Sequence, residues 1–360
     1  MLIKTKPFLI GLITLMLLST LVISLSFYQQ QKQQAISKAS SQLNLALELR
    51  HTAIDRLFQT IQSEILFWSK NESLNKNTRL LIAGWRELGS NAATKLRQRY
   101  IENPKQFNST QDNSKYNLIH THIQKNIGEF IKARHYNDVL IIDAKANVIY
   151  SYMKENDYAS NLKTGPWRDS ALGKAFRAVS NKEKPQDFAF VDFEAYVPSK
   201  GDPASFIAAP IKNKQGVLFA VIVFQTPAKY ITKVMQHNGG MGKTGETYLV
   251  GDDLLMRSDS RFSKLSTILR ISVETETAKK ALKGESGIQF TQDYRGIPVL
   301  SAYTTLNLMG LKWAILSEQD RAEILQPIHV LRDKLIIATI IIALIMIFSS
   351  LWLTSYSRRA

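Results

Sequence analysis

The chain has 360 residues, with 46 Lys or Arg against 30 Asp or Glu, 45% hydrophobic residues and no cysteine. That length accommodates two or three domains, and so many core-forming residues exclude a disordered chain. The missing cysteine excludes disulfide scaffolds, thiolate metal sites and cysteine nucleophiles, while the formal charge of +16 raises nucleic acid as a partner unless the charge proves dispersed.

Pro7 to Phe27 carries no charge, nor does Leu335 to Leu353. At 1.5 Å per residue each spans roughly the 30 Å hydrocarbon layer of a bilayer. The first segment, taken as 7–28, is followed by Tyr28-Gln-Gln-Gln, which offers no small-residue cleavage site and so reads as an anchor. Lys4 and Lys6 precede it, and Arg358 and Arg359 follow the second segment, 335–353. The positive-inside rule then puts both termini, including a short tail at 354–360, in the cytoplasm of a bacterial inner membrane, with residues 29–334 outside. There the remaining basic excess is spread along the chain, not gathered into a stripe, so no nucleic acid partner is expected.

Residues 29–137 read as a stalk and helical region. From Ile36 to Lys70 there is no Gly or Pro, and Leu43, Leu47, Ile54, Leu57, Ile61, Ile65 and Trp68 recur on one helical face interrupted by Arg50. Such a helix reaches on the order of 50 Å beyond the bilayer. It serves either as a homodimer-forming stalk or as a helix packed along its own domain. Thr78 to Tyr100 and Tyr116 to Arg134 read as further helices, separated by a polar stretch at Asn103 to Asn113.

At Asp138 the apolar period changes to two. Asp138-Val-Leu-Ile-Ile-Asp-Ala and Asn147-Val-Ile-Tyr-Ser-Tyr-Met predict two strands. A helix near Ser170 to Ser180 follows, then strands at Phe188 to Tyr196, Ala204 to Ile211 and Val217 to Gln225, joined too closely for parallel crossovers. The pattern repeats in shorter form, with a strand pair at Glu246 to Asp252 and Leu254 to Asp259 and a meander at Ser286 to Gln292, Ile297 to Thr304 and Leu311 to Ser317. The fold class is therefore α+β, with two antiparallel modules at 138–235 and 240–320 between an incoming helix and an outgoing one at 321–334.

Asp138-Val-Leu-Ile-Ile-Asp, Asn147-Val-Ile-Tyr-Ser, Asn161-Leu-Lys-Thr-Gly-Pro-Trp and Asp192-Phe-Glu-Ala-Tyr-Val-Pro-Ser resemble, in that order, the double-Cache sensor domain. So do Gly242-Lys-Thr-Gly-Glu-Thr-Tyr-Leu-Val-Gly and Met256-Arg-Ser-Asp-Ser-Arg-Phe. That domain occurs in bacterial chemoreceptors, sensor histidine kinases and membrane-bound adenylate or guanylate cyclases. The resemblance implies two PAS-like modules on a long helix, with a small molecule bound by the membrane-distal one. Family members continue past the second span into an output domain, whereas this sequence stops at Ala360, so the expectation is either a truncated gene product or signalling through a separate partner.

On a regular strand Asp192, Glu194 and Tyr196 share a face. Asp192 and Tyr196 with Trp167 supply a carboxylate, a phenol and an aromatic wall, which suits a small polar ligand carrying an amine. Tyr150 and Tyr152 line the same cavity on this reading, and Lys154 and Arg168 offer cations for a ligand carboxylate. The alternative is that the aromatic residues are half-buried packing and the charges are solvated. The amino-acid-sensing branch of the family carries Arg-x-Trp-Tyr; Lys163-Thr-Gly-Pro-Trp167-Arg168 breaks that order, leaving an amine, a carboxylic acid or a peptide fragment.

No cofactor, metal or enzymatic site is expected. Gly242-Lys243-Thr244 ends like a phosphate loop, but His237 stands where its first Gly belongs, so the glycines read as a hinge. His120 and His122 are two apart on a helix and point away from each other. Asp192 and Glu194 lack the supporting groups of an acid/base pair. The rival function is a membrane-anchored protein that binds another receptor or an envelope component without a small ligand.

Overall fold

The computed structural model describes residues 5–102, 113–181, 183, 186–237 and 240–356; the polar stretch expected from Asn103 lies mostly outside them. A single helix, α1 (Thr5–Lys70), runs for 66 residues, about 100 Å at the standard rise. Its stripe of Leu43, Leu47, Ile54, Phe58, Ile61 and Ile65 is buried. Two cores share it: the earlier part packs on the second sheet and the later part on the first. Arg50, the interruption in the stripe, is also buried, where its guanidinium donates to the carbonyls of Ala46 and His237.

Asn71 ends α1 and caps α2 (Glu72–Glu87), its side chain accepting from Leu74 N at 2.9 Å. The helix expected at Thr78 to Tyr100 is broken here. Gly89 adopts φ +79°, and a short helix, α3 (Ala92–Arg97), follows and widens into a π turn at Gln98–Glu102. Next comes α4 (Lys115–Arg134), which ends on His135 in the left-handed region.

The first sheet comprises β1 (Asp138–Asp143), β2 (Val148–Ser151), β3 (Ala189–Tyr196), β4 (Asp202–Lys212) and β5 (Leu218–Gln225), with α5 (Ala171–Ser180) between β2 and β3. Its order is β2-β1-β5-β4-β3, antiparallel throughout. One face packs on α1, α2 and α4; the other carries Leu140, Ile142, Phe206 and Val223 against α5.

After α6 (Ala228–Met235) the second sheet forms from β6 (Glu246–Val250), β7 (Gly287–Gln292), β8 (Pro298–Leu308) and β9 (Leu311–Asp320), with α7 (Glu276–Leu282) before β7. Its order, β6-β9-β8-β7, is that of the first sheet without the second strand. The strand expected at Leu254 to Asp259 is replaced by isolated bridges, Val250 to Met256 and Leu255 to Ser272, because Leu254 turns at φ +64° and breaks the extended run.

From β9 the chain passes directly into α8 (Arg321–Tyr356). Its first turn is held by the loop that resembles a phosphate-binding turn: Lys243 N and Thr244 N each donate to the Glu323 carboxylate at 2.8 Å. That loop therefore binds an anion belonging to its own chain, and Gly242, at φ +71°, lets the backbone approach. Both α1 and α8 contain stretches long and apolar enough to cross a membrane. Side chains such as Ile23, Leu344 and Phe348 project from them unburied.

Phe58 is 1% exposed where the cores meet, edge-on to Phe190 at 5.3 Å and to Trp313 at 5.6 Å. Phe58→Ala is expected to lower stability by about 3–5 kcal/mol. Phe67→Ala, on the open face of α1, is expected to change it by under about 0.5 kcal/mol; urea titration of both variants in detergent checks the difference.

Candidate site beneath the loop after β2

Asp138 opens β1 and is 1% exposed. Its carboxylate accepts from the backbone N–H groups of Val139 (2.7 Å), Tyr152 (2.8 Å) and Met153 (3.0 Å) and from the Ser151 hydroxyl (2.7 Å). These four donors fix the point where the chain leaves β2 for the loop running to α5. Burial pushes the Asp138 carboxyl up to about 7, and the charge of Asp157 adds to the effect while the hydrogen bonds oppose it.

Lys154, in the left-handed region at φ +54°, turns back under this loop. Its Nζ donates to Gln124 Oε1 at 2.7 Å and to the Tyr152 carbonyl at 3.2 Å. It also lies 5.6 Å from the ring centres of Tyr100 and Tyr150. Tyr150 OH donates to the same Gln124 oxygen at 2.9 Å. Burial brings Lys154 down to about 7 against the pull of Asp138. Beside it, His120 is enclosed by Tyr100, Tyr116 and Tyr150. Neither of its ring nitrogens has a hydrogen-bond partner, and burial, then the charge of Lys154, holds its pKa well below the usual value.

Across the loop, facing α5, Asp157 is 1% exposed. Tyr196 OH donates to its Oδ2 at 2.6 Å, whereas Oδ1 is buried with no side-chain partner. Burial pushes this carboxyl up to about 6, with hydrogen bonds from Tyr196 and from the backbone N–H groups of Asp157 and Tyr158 opposing. Trp167 Nε1 donates to the carbonyl of Asn156, the residue before Asp157, at 3.1 Å. Its half-buried ring joins the cluster of Leu162, Phe176, Tyr196 and Phe206. Arg168 lies exposed at the rim, paired with Asp169.

The seven residues expected to share one site thus fall in three places. Tyr150 and Lys154 meet at Gln124, with Tyr152 contributing its carbonyl. Trp167 and Tyr196 flank Asp157, and Arg168 is at the rim. Asp192 leaves the group because β3 does not alternate regularly: its register on β4 slips between Val191 and Glu194. Glu194 pairs with Lys174 on α5. Asp192 instead accepts from Arg257 Nε at 3.1 and 3.2 Å, Arg257 Nη2 at 3.1 Å and Trp313 Nε1 at 3.1 Å. The Arg257 side chain is 2% exposed and also meets Asp253 at 2.9 Å. Asp192 is therefore the clasp between the sheets, and the carboxylate beside Tyr196 is Asp157. No periodic pattern marks Asp157 in the sequence, since it sits in an irregular loop.

The folded Asp157 carboxyl holds its proton to about pH 6, and in the unfolded chain to about 3.9. Where a folded pKa is raised, stability is full below the unfolded value and is lost as pH rises through the folded one. The loss amounts to about 3 kcal/mol between pH 4 and 6. Asp157→Asn, which keeps an acceptor for Tyr196, is expected to flatten this part of the stability curve and leave the protein more stable at pH 7. Urea midpoints from pH 4 to 8 in both proteins measure this.

The sequence matches the family model of the Cache domain over residues 25–328. No match was found among curated proteins. Among solved structures, the extracellular domain of vpHK1S-Z8, described as a histidine kinase, aligns with TM-score 0.51 at 10% identity, covering 83% of this chain and 96% of that one. A domain of a Vibrio parahaemolyticus protein assigned to the sensory box/GGDEF family aligns with TM-score 0.50 at 9% identity, covering 81% and 99%. The ligand-binding domain of the Pseudomonas fluorescens chemoreceptor CtaA, solved with L-serine, gives TM-score 0.39 at 12% identity, covering 74% and 98%. With a family match over most of its length, two tandem antiparallel sheets and one shared helix, this chain belongs to the Cache domain family.

Proposed function

We propose that the chain is a two-pass sensor of a bacterial inner membrane whose first module, facing away from the bilayer, binds a small molecule carrying a primary or secondary amine. The observation that carries this reading is Asp157 Oδ1, a buried carboxylate oxygen that no other side chain meets. A buried acceptor short of donors costs stability, and a ligand ammonium bound there removes the cost. Trp167 and Tyr196 supply the aromatic faces that a desolvated ammonium favours. Lys4, Lys6, Arg358 and Arg359 support cytoplasmic termini.

Binding acts on α8 only through a difference in affinity between two packings. The route runs along β3 to Asp192, across to Arg257 and Trp313, and down β9 into α8, where displacements of about 1–2 Å suffice in comparable helix-shift switches. Leu45 and Leu49, one turn apart and exposed on α1, favour a homodimer through the stalk.

Thermal-shift measurements on the full chain in detergent, against panels of primary amines, polyamines, organic acids and purines, test the reading. An amine at about 100 times its Kd is expected to add about 2.7 kcal/mol of stability, a gain lost in Asp157→Asn and reduced in Trp167→Ala. Stabilisation by acids alone, or by an amine equally effective on Asp157→Asn, contradicts the site. No stabilisation by any class, with a stoichiometric protein co-purifying, favours the ligand-free interaction protein instead.

A further inference from the structure

Where α1 gives way to α2, far from the apolar ends, the surface forms a groove of about 940 Å³ between these helices and the β4–β5 turn. A second depression of about 570 Å³ continues it along α2, sharing Arg79, Asn213 and Lys214. Lys70, Lys76, Arg79, Lys212 and Lys214 line the first part; Arg86 and Lys145 line the second. Against these seven cations stand Glu72, Asp187 and Asp143. Asp143 is already engaged, accepting from Lys145 N, Asn147 N and Asn147 Nδ2.

Among the described residues, none of the seven cations forms an ion pair. Elsewhere on this protein cations do find carboxylates, as Lys115 does with Glu87 and Lys280 with Glu276. Leaving like charges unpaired around a concavity is unfavourable without counter-ions, and low-dielectric walls focus their field into the groove. The first turn of the 16-residue α2 enters the same wall through Glu72 and Ser73, adding the positive end of a helix dipole.

We propose that this groove binds an extended polyanion. The two connected depressions exceed the usual volume of a small-molecule pocket, and their cations come from the end of α1, from α2, from the β1–β2 turn and from the β4–β5 hairpin, not from one element. A membrane surface is not the source of the anions, because Tyr28 and Lys70 are separated by 42 residues of continuous helix, roughly 60 Å. The ligand is a soluble or envelope-borne polymer with phosphate or carboxylate groups. The site is separate from Asp157, and its test does not depend on that reading.

Fluorescence anisotropy of the full chain in non-ionic detergent, with labelled medium-chain polyphosphate and labelled oligogalacturonate as probes, decides the matter. Binding of at least one polymer is expected, weakening steeply with NaCl through counter-ion release and resisting equimolar orthophosphate. The preferred probe tells phosphate from carboxylate. Lys76→Gln/Arg79→Gln/Lys214→Gln is expected to raise Kd at least tenfold and flatten the salt dependence. Lys229→Gln/Lys233→Gln/Lys283→Gln, which removes the same charge from other exposed positions, is expected to change Kd less than twofold. No binding of either polymer, or equal weakening by the two triple variants, overturns the proposal; circular dichroism of both variants separates lost binding from lost fold.

Discussion

Three ionisable groups, Asp138 at the start of β1 and Lys154 and Asp157 in the loop after β2, lie buried in the first module. Each is expensive to bury, and each is met differently. Asp138 is surrounded by four donors. Lys154 has amide and carbonyl oxygens and aromatic faces. Asp157 has a single side-chain donor, the Tyr196 phenol, and an oxygen that no other side chain meets. The first two arrangements hold the loop in place; the third leaves one acceptor oxygen without a side-chain donor. Pairing thus differs between the two carboxylates, although both are shifted in the same direction for the same first cause, burial.

The same principle governs the join between the sheets. Arg257 is nearly inaccessible, yet its charge is shared between Asp192 of the first sheet and Asp253 of its own loop. Removing one partner from such a pair strands a buried charge, which makes the junction resistant to partial opening. Phe58, Phe190, Phe193 and Trp313 surround it with aromatic edges. Asp192 thus ties β3 to Trp313 of β9 through a buried contact. At the end of β9, Glu323 is gripped by Lys243 N and Thr244 N, so the first turn of α8 moves with the second sheet.

Much of this architecture is legible in the residues. The 3.6-residue stripe of α1 and the period-two strands from Asp138 onward declare helix and sheet through burial on one side, and the interruption at Arg50 is visible as a charge in an apolar row. What is not legible is local geometry that breaks a period. The slip in β3 between Val191 and Glu194 turns Asp192 away from Tyr196 and towards the second sheet. A single positive φ at Leu254 removes a strand that composition favours. Trp167 and Tyr196 follow from alternation and resemblance, whereas Asp157 lies in a segment where no alternation applies. Its significance emerges only from burial and an oxygen that no other side chain meets, which are properties of the fold.

The account rests on Asp157 accepting a cation, and that event moves protons. A carboxyl held up at about 6 by burial is partly protonated near that pH, and an ammonium placed against it favours the ionised form. Isothermal titration calorimetry of a stabilising amine near pH 6, in buffers of differing ionisation enthalpy, reads the exchange directly. Net release of a fraction of one proton per ligand, absent in Asp157→Asn, is the predicted result. Binding with no proton exchange, or with the same exchange in Asp157→Asn, contradicts it.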